Sequence, residues 1–324
     1  MALHPVIQAA LASAAGVPPY HTLPIAQARA QARQAYPKVP VPVAVAGVHG
    51  TWMPGPGGPM ALRIYRPRGP GPHPVVVFFH GSGFVMLDLD THDDICRRVC
   101  AGASCVVVSV DYRLAPEHKF PAAPDDCLAA TRWVATHASE FDADPSRMAV
   151  AGDSAGGCLA AVTALRVRDQ GGPRLQAQLL WYPVTDYPSP ARNSYLAYGA
   201  GYGLTQAGMQ WFWDHYLADP SDRHHKHASP LRMDAPEGLP SAYVAVAEYD
   251  VLRDEGEAFA RRLGEAGVAT VTRRWVGMNH GFLKYTGVIT EADAAMADAC
   301  AWLKRLFQGE TADFPVSPAI AAAQ

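Results

Sequence analysis

Ser154 is the residue whose surroundings predict chemistry most directly. It lies in the sequence GDSAG at 152–156, between a predicted strand at 147–152 and a helical segment that begins at Ala155. Such a strand–turn–helix holds a serine in a strained conformation with its hydroxyl at the edge of a sheet, and the flanking glycines allow the tight turn. The pattern predicts a nucleophile; the alternative is an ordinary serine at a helix N-terminus.

A serine nucleophile needs a base to take its proton and an acid to orient that base. On such turns the acid and then the histidine follow the serine along the chain, each in a loop after a strand. Asp250 directly follows a strand predicted at 242–249, and His280 lies in the loop after a strand predicted at 269–275. The order predicts a triad of Ser154, Asp250 and His280.

Other candidates for the acid and the base fit this order less well. Glu248 alternates with Asp250 along the strand, and Asp254 is expected to open the next helix, where a carboxylate favours the helix dipole. Asp254 is the second candidate for the acid. The other twelve of the thirteen histidines lie in loops or helices that do not follow a late strand.

Acyl transfer through a serine forms an oxyanion, which needs backbone N–H donors that are each worth about 10²- to 10³-fold in rate. One donor is predicted at Ala155, directly after the nucleophile. The others are expected from a glycine-rich loop of the HGGG type that follows a strand at 75–79 and contains His80, Gly81, Ser82, Gly83 and Phe84. Because glycine-rich loops also form plain turns, this segment alone leaves both interpretations open.

The elements that must position these residues follow an α/β pattern. Two strands at 43–49 and 60–66, separated by a turn-rich segment, are predicted to pair antiparallel. From residue 74 short β-branched runs alternate with helical segments, which is typical of a buried parallel sheet. The further strands are predicted at 75–79, 105–110, 147–152, 175–182, 242–249 and 269–275, and the helices at 92–103, 123–139, 155–169, 254–266 and 291–307.

About sixty residues between Tyr182 and Ser241 exceed what a crossover connection needs, and they include a helical stretch at 204–217. An insertion after a strand of such a sheet lies where ligands bind, so we expect a cap over the site. This stretch contains three aromatic residues in a row, Trp211, Phe212 and Trp213. We expect them to pack the cap onto the catalytic domain; alternatively, one or two of them line an acyl pocket.

The domain boundaries follow from these segments. The Ala- and Gln-rich residues 1–42 are expected to form N-terminal cap helices. The catalytic domain is expected in two parts, 43–186 and 239–324, with the cap insertion at 187–238 between them.

Composition excludes some partners. A net charge of −3 over 324 residues gives no overall positive field to attract nucleic acid, and no apolar run approaches the ~20 residues that span a bilayer. The N-terminus lacks the Lys or Arg of a signal peptide. The six scattered cysteines are expected to be reduced thiols, so we expect a cytoplasmic protein.

Two segments could be interpreted as metal sites. In the first, no second ligand pair follows at zinc-site spacing, and buried cysteines are favoured: His92, Cys96 and Cys100. In the second, a solvated loop is favoured because no Cys or carboxylate completes a ligand pattern: His224, His225 and His227. No metal is expected.

Together the motifs resemble those of the hormone-sensitive-lipase-like esterases, the bacterial family IV carboxylesterases of the α/β-hydrolase superfamily. Besides the loop at 80–84 and the serine segment at 152–157, the similarity includes DYRLAPE at 111–117, FPAA at 120–123, DVLRDEG at 250–256 and HGF at 280–282. The resemblance implies a mostly parallel central sheet flanked by helices, with a helical cap. It also implies the same triad and no cofactor.

The resemblance assigns the finer parts of the site. It implies oxyanion donors at the backbone of Ser82, Gly83 and Ala155, within the loop that begins with His80 and Gly81. The candidates for the substrate pocket are Phe84, Trp211 and Phe212. We expect ion pairs and hydrogen bonds of the long second motif to hold its loop near the site, through Asp111, Arg113 and Glu117.

Two positions depart from the family pattern. Ser82 replaces the middle glycine of HGGG, and it would strain or reshape the loop if that position requires a positive φ. Val251 replaces the proline that usually follows the acid, which would loosen the loop without changing the chemistry.

The activity implied is that of a carboxylesterase that hydrolyses short- to medium-chain acyl esters through a serine acyl-enzyme, with a small-molecule ester as substrate. A non-catalytic ligand receptor on the same fold is the rival, although such receptors lack the histidine that is present here at position 280. Amidase, thioesterase and lactonase activities stay open, because acyl-enzyme chemistry serves several leaving groups. The sequence also leaves a homodimer open.

Overall fold

The computed structural model describes residues 2–37, 39, 41–189 and 191–310. Their centre is a single eight-stranded sheet in the order β1-β2-β4-β3-β5-β6-β7-β8. The strands are β1 Gly47–Gly55, β2 Gly58–Arg66, β3 His73–Phe79, β4 Val106–Val110, β5 Ala143–Asp153, β6 Leu175–Trp181, β7 Ser241–Tyr249 and β8 Thr270–Asn279. The predicted residues 311–324 of the second catalytic part lie outside the described residues.

Only β2 runs opposite to the other strands of the sheet, so both antiparallel pairings involve it. β1 pairs antiparallel with β2, and β2 pairs antiparallel with β4, while all pairs from β4 to β8 are parallel. The prediction of a mostly parallel α/β-hydrolase sheet is confirmed. The first strand lies later than predicted, at 47–55 instead of 43–49, because Pro54 and Gly55 continue the ladder and only two residues form the hairpin turn.

Helices cover both faces of the sheet. They are α1 Pro5–Ser13, α2 Ile25–Ala35, α3 Asp93–Ala103, α4 Ala122–His137, α5 Ala155–Gln170, α6 Asn193–Tyr198, α7 Gln206–Tyr216, α8 Arg253–Glu265 and α9 Thr290–Phe307. None of these helices is long and apolar enough to cross a membrane. The helix at 206–216 lies within the stretch predicted at 204–217.

The strand sequences explain why two layers of helices are needed. Every residue of β3 is buried, and alternate side chains of a strand point to opposite faces. Val75, Val77 and Phe79 join the core that includes α4, α5 and α8, while Val76 and Phe78 join the core that includes α3 and α9. A strand that is apolar on both faces is stable only between two such layers.

The parallel strands bring separate parts of the chain to one edge of the sheet. Residues 80, 154, 250 and 280 are each the first residue after a strand, namely β3, β5, β7 and β8. Because the carboxyl ends of parallel strands meet at the same edge, four segments that are far apart in sequence converge there.

Candidate active site

The turn at Ser154 has the strained backbone that the sequence predicts. Its φ of 55° and ψ of −121° lie in a region that non-glycine residues rarely occupy. A side chain at Gly156 would collide with the backbone carbonyls of Phe79 and His80, so the helix can approach β3 only with glycine there. The Ser154 side chain makes no capping hydrogen bond to α5, which removes the alternative of an ordinary N-cap.

The three residues predicted as a triad lie in one hydrogen-bonded chain. Ser154 Oγ lies 2.9 Å from His280 Nε2, and His280 Nδ1 lies 2.7 Å from Asp250 Oδ2. Because an ionised carboxylate can only accept, the ring proton belongs on Nδ1, which leaves Nε2 free to accept the serine proton. The Asp250 side chain is fully buried, while the His280 side chain is 13% exposed.

Asp250 is held on its other side as well. Its Oδ1 accepts the backbone N–H of Leu252 at 3.0 Å, so the loop closes on the acid although Val251 stands where the family has proline. The competing carboxylates are engaged elsewhere. Asp254 accepts the backbone N–H of Ser194 at 2.8 Å, and Glu248 accepts that of Gly277 at 2.8 Å.

Tyr182 contacts His280, and the sequence motifs gave no indication of this contact. Its ring packs edge-on against the His280 ring at 4.9 Å between centroids, and its backbone has a φ of 36°. The signal that could have found it is structural. Tyr182 has a positive φ directly after β6, next to the strand that leads to Ser154, and such strain is typical of functional sites. The ring limits the orientations open to the imidazole.

Hydrogen bonds through the side chain of Ser82 fix the loop after β3. Tyr112 donates its hydroxyl proton to His80 O at 2.6 Å, so the 2.7 Å contact between the Tyr112 and Ser82 hydroxyls has Ser82 as donor. Ser82 Oγ in turn accepts the backbone N–H of Phe84 at 2.8 Å. The positive φ angles fall at Gly83 (55°) and Phe84 (65°) and not at Ser82. The serine therefore replaces the family glycine without backbone strain of its own.

Asp153 holds the beginning of the same loop. Its Oδ1 accepts the Gly81 N–H at 2.7 Å and lies 3.3 Å from His92 Nε2. Burial alone would raise the pKa of Asp153, but His92 and the Gly81 N–H outweigh it and lower the pKa below its ordinary value. His80, buried and stacked on Tyr112, has its pKa lowered by burial to about 3 and is neutral.

Three backbone N–H groups of the described residues are free, two in the loop after β3 and one at the first residue of α5. Within the described part of the chain, no acceptor is hydrogen-bonded to the backbone N–H of Ser82, Gly83 or Ala155. Gly81, in contrast, donates to Asp153 and so has no N–H to offer a substrate. Free backbone N–H groups of this kind can stabilise a negative charge that develops close to them.

The aromatic residues predicted for the pocket occupy different positions. The Phe212 ring lies directly against Gly83, where any side chain would collide with it. Phe84 stacks face to face on Tyr216 at 3.9 Å between centroids, inside the core beneath α7. Trp211 is half-buried and packs on the outer side of Phe212 at 5.2 Å. Phe212 thus contacts the glycine-rich loop from α7.

The segments considered as metal sites show other contacts. Cys96 and Cys100 are buried thiols in α3, and burial raises the pKa of Cys100 to about 12. In the insertion, the ring of His225 packs against the rings of Phe120 and of His227. Among residues 2–310, apart from the three internal gaps in the description, no three His, Cys, Asp or Glu side chains are grouped to hold a metal ion.

Comparison with known proteins gives matches to α/β hydrolases and esterases. A family model described as the α/β-hydrolase fold matches residues 76–284. Esterase LipI of Mycobacterium tuberculosis is 46% identical over 246 residues, which cover 74% of this chain and 76% of LipI. A protein of Pseudomonas putida named ethyl acetate hydrolase is 38% identical over 246 residues, with coverage of 74% and 76%.

A solved structure is similar over nearly the whole chain. A thermostable esterase from Pseudomonas putida superimposes with a TM-score of 0.91 at 40% identity, and the match covers 95% of this chain and 99% of that one. The similarity therefore includes the insertion and the N-terminal helices as well as the sheet.

Proposed function

Because the chain belongs to the hormone-sensitive-lipase-like carboxylesterases of the α/β-hydrolase fold, and is a carboxylic ester hydrolase, we propose that Ser154, His280 and Asp250 are its catalytic triad. The observation that carries the proposal is the continuous chain of contacts at 2.9 and 2.7 Å from the serine hydroxyl to the buried carboxylate. The strained turn supports it, since such strain is characteristic of functional sites.

In the first half of the reaction the serine is acylated. His280 Nε2 takes the proton of Ser154 as Oγ attacks the ester carbonyl carbon, and the buried carboxylate of Asp250 stabilises the imidazolium that forms. The C–O bond to the leaving alcohol then breaks, and His280 gives the proton to that oxygen. The product is an acyl-enzyme on Ser154 and a free alcohol.

In the second half water takes the place of the alcohol. His280 accepts a proton from the attacking water, the tetrahedral intermediate collapses, and the proton returns to Ser154. In both halves the carbonyl oxygen becomes an oxyanion, which we place against the N–H groups of Ser82, Gly83 and Ala155. Their lack of partners in the described structure supports this assignment, because they can meet the charge without first breaking other hydrogen bonds.

We assign the acid part of the substrate to a short or medium acyl chain. Phe212 lies against the proposed oxyanion loop, and Trp211 packs behind it, so an acyl chain would meet aromatic side chains close to the carbonyl. The relative named ethyl acetate hydrolase supports a short chain. On this view residues 187–238 form a cap with α1 and α2, over a catalytic domain at 43–186 and 239–324.

Replacement of Ser154 by alanine tests the function. Hydrolysis of p-nitrophenyl butyrate should fall by about 10⁴-fold or more, because the nucleophile and its acyl-enzyme are both lost. Ser221→Ala is the matched control, since Ser221 is exposed on the insertion and should leave the rate unchanged. Full activity of Ser154→Ala would refute the proposal.

A series of p-nitrophenyl esters tests the substrate class. We expect kcat/KM to be highest between acetate and hexanoate and lowest for palmitate. Phe212→Ala should shift the optimum toward longer chains, because removing the ring opens space beside Gly83. A p-nitroanilide of the same acid tests the amidase alternative, and an optimum at palmitate would contradict the assignment.

A further inference from the structure

Arg29, on the N-terminal helix α2, contacts three residues in two segments of the catalytic body. Its Nε donates to Val85 O at 2.8 Å and its Nη2 to Ala115 O at 2.9 Å. The two outer nitrogens also meet both carboxylate oxygens of Glu117, at 2.8 and 2.6 Å. Only 28% of the Arg29 side chain is exposed. A planar guanidinium can make this set of contacts at once, whereas a lysine ammonium cannot.

The carbonyl of Val85 belongs to the turn that contains the proposed oxyanion donors. The backbone N–H groups of Val85 and Met86 both donate to Ser82 O, at 3.1 and 2.9 Å. Ala115 N donates to Phe84 O at 2.9 Å. Arg29 therefore bonds to the carbonyl of Val85 in this turn and to the carbonyl of Ala115, the residue that pairs with Phe84. The guanidinium links the two backbone segments where they are hydrogen-bonded to each other.

Two sets of contacts hold this turn from different directions. Tyr112 fixes its beginning through the carbonyl of His80 and the hydroxyl of Ser82. Arg29 fixes its end through Val85 O. Glu117 neutralises and orients the guanidinium and is itself part of the DYRLAPE motif, and the pair lowers the pKa of Glu117 chiefly through the hydrogen bonds from Arg29. With one end released, the free N–H groups of Ser82 and Gly83 would move relative to Ser154.

We propose that Arg29 is a positioning residue of the oxyanion hole, so that the N-terminal segment acts on the chemical step as well as covering the substrate. This inference rests on the proposed function, because it requires the N–H groups of Ser82 and Gly83 to bind the oxyanion. A positioning role for Arg29 would affect kcat, whereas a role in covering the substrate would affect KM. An interaction realised only with the transition state changes kcat, whereas uniform substrate binding changes KM.

Arg29→Gln removes the charge and most of the contacts. We expect kcat for p-nitrophenyl acetate to fall about tenfold or more with KM within about threefold, because a displacement of about 1 Å in catalytic groups can cost 10²-fold. Arg29→Lys should restore little of the loss, since an ammonium cannot reach both carbonyls and the carboxylate. Glu117→Gln leaves both carbonyl contacts in place and should lower kcat by only about threefold.

Binding of a trifluoromethyl ketone provides a readout that a merely structural role would not move. The adduct of such a ketone with a serine carries an oxyanion, so its inhibition constant should rise in Arg29→Gln in proportion to the loss of kcat/KM. Arg147→Gln is the matched control, because Arg147 also pairs with one carboxylate and one carbonyl, Asp144 and Pro72, but at the opposite end of β5. Circular dichroism and thermal unfolding establish that each variant is folded.

The outcomes separate this inference from the proposed function. If Ser154→Ala is inactive while folded Arg29→Gln has an unchanged kcat, or changes only KM, the role of Arg29 is refuted and the triad stands. If Ser154→Ala is fully active, the proposed function itself falls. An equal loss of kcat in Arg147→Gln would also overturn the inference, because the effect would then follow from stability and not from position.

Discussion

Two buried carboxyl groups lie five residues apart after β7, and they differ in their hydrogen-bond partners. Asp250 has a partner on each oxygen, His280 on one and the Leu252 N–H on the other. Glu255 is equally buried, but only its Oε1 is bonded, to the backbone N–H groups of Thr185 and Asp186. Its Oε2 has no partner among the described residues.

The difference is one of charge. A buried carboxyl group that lacks a charged partner and full hydrogen bonding favours its protonated form. Burial raises the pKa of Glu255 to about 8, despite the hydrogen bonds from Thr185 and Asp186 that oppose it. At neutral pH Glu255 therefore keeps its proton and serves as a neutral structural group.

The position of Glu255 indicates what that neutral group supports. It holds the backbone of Asp186, whose carboxylate binds Arg192 at 2.8 Å and Arg232 at 2.6 Å. These two arginines stand near the beginning and the end of the insertion at 187–238. One carboxylate after β7 thus contacts His280, and the other supports the base of the insertion.

The largest expected effect is a difference in kcat between variants of the two carboxyl groups. Asp250→Asn should lower kcat for p-nitrophenyl butyrate by about 10⁴-fold, because an amide favours the wrong tautomer of the histidine and cannot stabilise its cation. Glu255→Gln should change kcat by less than about threefold, since a neutral side chain replaces a neutral one. Similar losses in the two variants would abolish the distinction.

The next effect separates them by the pH dependence of stability. The unfolded chain loses the Glu255 proton near the ordinary pKa of 4.5, and the folded chain near 8. Between these values the folded state binds more protons, so raising the pH should lower the free energy of unfolding by a few kcal/mol, with no further loss above about 8. Urea unfolding at pH 5 and pH 9 measures this difference.

Glu255→Gln is the comparison for that measurement. The variant has no proton to lose, so it should lack this part of the pH dependence and be more stable than the wild type at pH 9. An identical change of stability with pH in both proteins would show that Glu255 is ionised in the fold at neutral pH.

The smallest expected effect extends the comparison to the glycine-rich loop, where the side-chain hydroxyl of Ser82, like the carboxylate of Asp250, has two hydrogen-bond partners. Tyr112→Phe leaves the carbonyl of His80 and the hydroxyl of Ser82 without their partner and should cost about 1–2 kcal/mol of stability. We expect kcat to fall about tenfold, as the loop loses one of its fixed ends. Ser82→Gly, which restores the family residue, should cost less than Tyr112→Phe in both measurements.

The sequence predicted the parts of the site that depend on chain order. The α/β-hydrolase fold is confirmed, because alternating β-branched runs and helices leave few other arrangements. Ser154, Asp250 and His280 could be selected because each directly follows a strand, and parallel strands bring such positions to one edge. Their catalytic roles stay a prediction until the variants are measured.

The rest depends on contacts between residues distant in sequence. Whether Ser82 would be strained was undecided without its φ and its hydrogen bond to Tyr112, thirty residues later. Glu255 lies in the segment DVLRDEG close to Asp250 and Asp254, and the sequence does not reveal that its second oxygen is buried without a partner among the described residues. The contact of Arg29 with Glu117 spans 88 residues and carries no local pattern.

Covalent labelling tests the central claim most directly, which is that His280 and Asp250 make Ser154 the nucleophile. The protein is treated with diethyl p-nitrophenyl phosphate, and the modified peptide is identified by mass spectrometry while residual esterase activity is followed. The account predicts one diethylphosphoryl group per chain, on Ser154, with activity lost in proportion to labelling and with labelling nearly absent in Asp250→Asn. Stoichiometric label on another residue, or full activity after Ser154 is labelled, would contradict it.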